Sequence, residues 1–87
     1  MRGFAAVTDF AYRMLSTLNA PRNAAKGCWS QMTLDDLVAK LREERAEVDA
    51  EIALLLTGNG DARRLVAECA DEANVLMMIA DNMGGEA

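Results

Sequence analysis

Residues 43–72 read EERAEVDAEIALLLTGNGDARRLVAECADE, and this stretch decides the fold. It is two helical patterns joined by Gly58-Asn59-Gly60, residue types that break helices and make turns. On either side lies an acidic pair of the same spacing, Glu44 with Glu47 and Glu68 with Asp71. A spacing of i, i+3 places both members of a pair on one helix face, about one turn apart. A short turn folds the second helix back antiparallel on the first. The two pairs then face each other.

The flanking sequence extends this hairpin into three helices. Thr33 is an N-cap, with Asp36 completing a short capping box and Asp35 favouring the helix dipole. The helix it opens is predicted over residues 34–56, with a stripe of Leu34, Leu37, Leu41, Val48, Ile52 and Leu55. At about 100° per residue Glu44 falls at the margin of this stripe, with Glu51 and Glu47 further round. Glu43 points to solvent, the usual place for charge on a Glu-rich helix. A carboxylate at the seam, as at Glu44, costs stability unless something compensates it.

Asp61 caps the next helix, predicted over residues 62–83 and ended by Gly84-Gly85. Its stripe is Leu65, Cys69, Leu76, Ile79 and Met83. Glu68 stands at the margin, Asp71 beyond it, and Glu72 inside the stripe. Residues 75–80 are apolar on nearly every side, which predicts burial on two faces, one against the partner helix and one against a second subunit. Ahead of the hairpin, Phe4, Val7, Ala11, Met14 and Leu18 predict a helix over 3–19, broken before Pro21. Residues 23–32 read as a loop holding Lys26 and Trp29.

The predicted class is therefore all-α, a single domain over residues 1–87. The chain is too short to bury a large core, yet 52% of its residues are hydrophobic. Self-association, as a bundle completed by dimerisation, is the simplest outlet. A net charge of −5 disfavours a nucleic-acid partner. No apolar run approaches the roughly 18 residues of a membrane span, and the apolar stretch before Asp9 is too short for a secretory signal. Cys28 and Cys69 form no CxxC pattern, and with no histidine they offer no zinc site. They read as free thiols in a reducing cytoplasm.

Two facing pairs of carboxylates repel one another unless a cation lies between them. An oxygen-only donor set points to a hard cation, Mg²⁺ first, with Mn²⁺ or Ca²⁺ behind it. Trp29 has two readings, a ring that caps the bundle end and a surface on which a base stacks, with Lys26 nearby for phosphate. Lys40 and Arg45 are further candidates for holding phosphate, with Arg63 or Arg64 supplied by a second subunit.

The order Glu43-Glu44-x-x-Glu47, a gap over 48–67, then Glu68-x-x-Asp71 resembles the signature of the MazG-like all-α nucleoside triphosphate pyrophosphohydrolases. Asn74, three residues after Asp71, and Trp29, in a loop before the acidic helix, match further positions of that family. The resemblance covers residues 26–80. It implies a helical bundle assembled as a dimer or a dimer of dimers, cleaving nucleoside triphosphates to the monophosphate and pyrophosphate. Glu44, Glu47, Glu68 and Asp71 would then hold Mg²⁺, Asn74 would contact the substrate, and Trp29 would lie against base or sugar. Glu72 departs from the family, which usually has an apolar residue there; it either binds a second metal or pairs with an arginine. The alternative from a different class is a non-enzymatic helical interaction module that dimerises through its apolar faces. A carboxylate-bridged di-iron bundle would need ExxH pairs, and the chain has no histidine.

Overall fold

The computed structural model describes residues 2–20 and 28–84. These form α1 (Arg2–Leu18), a 3₁₀ turn (Trp29–Gln31), α2 (Leu34–Leu56) and α3 (Ala62–Asn82). No strand is present among the described residues, so the all-α class holds. The loop expected over 23–32 contains the 3₁₀ turn, and Lys26 lies outside the described residues.

Local chemistry sets the helix ends. The Thr33 hydroxyl accepts from the Asp36 backbone N–H at 3.1 Å, and Asp36 accepts from the Thr33 N–H at 3.2 Å. This reciprocal pair satisfies two donors that the first turn of α2 would otherwise leave open. At the other end, Gly58 N–H donates to Leu55 and Asn59 N–H to Leu54, at 3.1 and 2.9 Å. With Gly58 at φ +83°, that is a Schellman motif, the left-handed stop that glycine adopts without a side-chain clash. Asp61 then accepts from the Arg63 N–H at 2.9 Å and starts α3.

α3 is the central element. It packs on α2 along one side, on α1 along another, and on the 3₁₀ turn near its C-terminal end, while α1 and α2 do not meet. This layout changes which residues are buried. Leu37, Val48, Ala70 and Val75 are the buried apolar side chains among the described residues. On α3 the most buried positions are Ala70, Asn74 and Val75, whereas Leu76 and Met83 of the predicted stripe are exposed. The reason is that α3 is covered from two directions, and the residues both neighbours shield are buried deepest. Of residues 75–80, expected to be buried on two faces, Val75 is buried and residues 77–79 are half-buried, while Leu76 and Ala80 are exposed.

The outer helices are only half covered. On α1, Met14 and Leu18 are partly buried, but Phe4, Val7 and Leu15 stay exposed, and so do Leu34 and Ile52 on α2. No helix among the described residues is long and apolar enough to cross a membrane.

Candidate metal centre

The antiparallel α2–α3 hairpin brings the two acidic pairs together. Glu44 and Glu47 from α2 and Glu68 and Asp71 from α3 each offer a carboxylate oxygen, and these four atoms lie within 4.8 Å of one another. Glu44, Glu68 and Asp71 are half-buried and Glu47 is exposed, so the cluster sits in the seam and opens to solvent on the Glu47 side.

Two oxygens decide what the cluster suits. Glu44 Oε2 and Glu68 Oε2 are buried with no hydrogen-bond partner. A buried carboxylate oxygen without a donor costs free energy, and the cost rises when further carboxylates surround it. Burial pushes the Glu44 carboxyl up to about 7, with the Glu47 charge and a carboxylate contact to Glu47 adding to it and Lys40 pulling the other way. Burial likewise raises Glu68 to about 7, reinforced by contact with Glu47 and by the charges of Glu47, Asp71 and Glu44. Four converging oxygens with two orphaned lone-pair sets fit a hard divalent cation, which takes oxygen ligands and has no need of nitrogen or sulfur donors.

The surrounding residues divide into those the fold directs at the cluster and those it does not. Lys40, one turn before Glu44, lies within electrostatic reach of it. Arg45 is directed elsewhere: its guanidinium pairs with Asp49 at 3.2 Å and Glu72 at 3.7 Å. Of the two sequence readings for Glu72, pairing with an arginine is the one this geometry contains. Its side chain is only 17% exposed, and its second oxygen, Oε1, is buried without a partner. Glu51, one turn beyond Glu47, also carries a buried oxygen without a partner, so the acidic seam is longer than the signature residues. Its place near the stripe margin was the sequence signal for it.

Asn74 and Trp29 are engaged within the fold. Asn74 is buried, and its amide donates to the Met14 carbonyl of α1 at 3.0 Å. Trp29 is half-buried on the C-terminal end of α3; its indole N–H donates to Asp81 at 3.0 Å and its carbonyl accepts from Asn82 at 2.8 Å. These contacts supply the capping role. Asp81 is ten residues past Asp71, so Trp29 docks about 15 Å along α3 from the carboxylates. Neither Asp81 nor Asn82 stood out in the sequence, because only tertiary contact with Trp29 gives them a role.

Cys28 and Cys69 are free thiols. Cys28 is exposed, and its contact with Ser30 at 2.9 Å lowers its pKa. Comparison with protein-family models, with curated proteins and with solved structures finds no match to this chain.

Proposed function

We propose that this chain is a Mg²⁺-dependent nucleoside triphosphate pyrophosphohydrolase of the MazG-like kind, acting in the cytoplasm as a homodimer or a dimer of dimers. One observation carries the reading: four carboxylates, drawn two each from antiparallel helices in the order of the family signature, converge within 4.8 Å with two buried oxygens left without donors. Glu44, Glu47, Glu68 and Asp71 would hold the cation. The cation would neutralise the carboxylates and the triphosphate toward each other and polarise the phosphate oxygens, with Mn²⁺ as a substitute. Lys40 supplies a positive charge beside the cluster, where the phosphates of a bound substrate would lie.

The deciding experiment is a panel of nucleoside and deoxynucleoside triphosphates incubated with the protein and Mg²⁺, reading pyrophosphate release. Release from at least one nucleotide, lost in Glu44→Gln and Glu68→Gln, is the expected result. No release from any of them overturns the reading.

A second reading, an interaction module without catalysis, draws on the exposed apolar residues Phe4, Val7, Tyr12 and Leu15 of α1. It predicts that Mg²⁺ leaves the melting temperature unchanged. The metal-site reading predicts a rise.

A further inference from the structure

A cleft of about 290 Å³ lies between α1 and the N-terminal half of α3, roughly a third of a turn round α3 from the carboxylate cluster. Its walls carry Arg13, Tyr12 and Ser16 from α1 and Arg63 from α3, over a floor that includes Val66 and Ala67. The chain has 14 acidic residues and 9 basic ones, yet this lining takes two arginines and no carboxylate. Among the described residues Arg13 has no ion-pair partner. Arg63 pairs with the Asp61 carboxylate through Nε and Nη2, both at 3.4 Å, and the rest of its side chain is open to solvent. The cleft lining is thus positive in a chain whose net charge is −5.

We propose that this cleft binds a small phosphate-bearing anion. Two guanidinium forks match the planar, multi-oxygen face of a phosphate, which takes paired N–H donors better than a single-point cation supplies them. The hydroxyls of Tyr12 and Ser16 provide further donors, and the short apolar floor accommodates a compact body next to the phosphate. The volume lies at the small end of ligand pockets, which suits inorganic phosphate, pyrophosphate or a small phosphomonoester better than a whole nucleoside triphosphate. The site shares no residue with the carboxylate cluster and needs neither metal nor nucleotide.

The test uses the full chain, ¹⁵N-labelled and freed of metal, at constant ionic strength set with sodium chloride so that general screening does not change. Inorganic phosphate, pyrophosphate and glycerol 3-phosphate are titrated separately and followed by amide shifts. The expected result is saturable change centred on residues 12–17 and 63–70 with at least one of the three. Comparing the arms shows whether the phosphate group alone is the ligand or an organic body adds to it. Arg13→Gln and Arg63→Gln each weaken binding by about tenfold or more, the loss expected for one charge-assisted contact. Both side chains are exposed and the Asp61 cap uses the Arg63 backbone N–H, so circular dichroism should show an unchanged helix content. Linear shifts with all three anions, saturable binding that survives both substitutions, or shifts centred on residues 44–47 and 68–71 would each overturn the site.

Discussion

Glu44 and Glu68 are residues whose cost to the fold depends on what else is bound. Each has a folded pKa near 7 against an ordinary value of 4.5, so between those values the folded state holds more protons than the unfolded one. Metal-free stability therefore contains a part that is present at low pH and is lost as pH rises through about 7. The melting temperature of metal-free protein should fall between about pH 4.5 and pH 7 and level off above that. In the same window the rise produced by Mg²⁺ should grow, because a cation binds the ionised carboxylates. Replacing one carboxylate by its amide separates site from scaffold. Glu44→Gln should leave the metal-free protein as stable or more stable, while removing the Mg²⁺-induced rise, which for the intact site reflects a stabilisation of about 2.7 kcal/mol at a hundredfold excess over Kd. Glu43→Gln, on an exposed position, is the control and should keep that rise. A Glu44→Gln protein that unfolds without metal would make Glu44 a structural residue instead. Arg45 and Glu72 behave differently. Arg45→Ala leaves Glu72 half-buried without its counter-charge, and thermal melts should show a loss of about 1 kcal/mol, modest because the arginine is largely exposed. Glu72→Leu, which removes the charge as well, should be neutral or stabilising.

At the scale of elements, the hairpin depends on its turn. Gly58 holds a left-handed conformation, and Gly58→Ala should cost about 1–2 kcal/mol from backbone strain alone, since open space surrounds the added methyl. Gly60 is constrained by contact instead. A Cβ there would come within 2.6 Å of the Leu55 backbone nitrogen and 2.9 Å of its Cα, atoms that cannot move without unwinding the end of α2. Gly60→Ala should therefore lower the melting temperature more than Gly58→Ala does. It should also weaken Mg²⁺ binding, because opening the turn shifts α3 along α2 and separates the acidic pairs. If the two variants melt alike, the close approach at Leu55 is not what holds the register.

The whole molecule exposes more surface than a compact chain of its size. Its accessible area is 6371 Å², against about 5,000 Å² for a folded monomer of this mass. The excess, about 1,400 Å², is larger than the roughly 800 Å² that each partner buries in a standard interface. Phe4, Val7, Tyr12 and Leu15 concentrate much of that exposure on α1, and Leu34, Ile52, Leu54 and Leu56 do so on α2. Light scattering should show a homodimer or larger assembly at micromolar concentration, and Val7→Glu should shift it toward monomer with helix content retained. A monomer at all concentrations would remove the dimer from the proposal.

The sequence by itself determined the elements, because the signals that make them are local. Thr33 with Asp36, Gly58 in its turn and Asp61 before α3 each act over a few residues, and α2 occupies Leu34–Leu56 where residues 34–56 were expected. The convergence of Glu44, Glu47, Glu68 and Asp71 was also legible, since i, i+3 spacing and one tight turn nearly dictate it. Only the tertiary structure decided the rest. Periodicity shows that a helix has an apolar face but not which neighbour covers it, so the exposed half of α1 and the deep burial of Asn74 could not be read in advance. Asn74 meets Met14 across 60 residues, Trp29 meets Asp81 across 52, and Arg45 reaches Glu72 between helices. Those pairings exist because α3 lies between two helices and a 3₁₀ turn, and a contact made by the placement of whole elements leaves no mark on the residues between its ends.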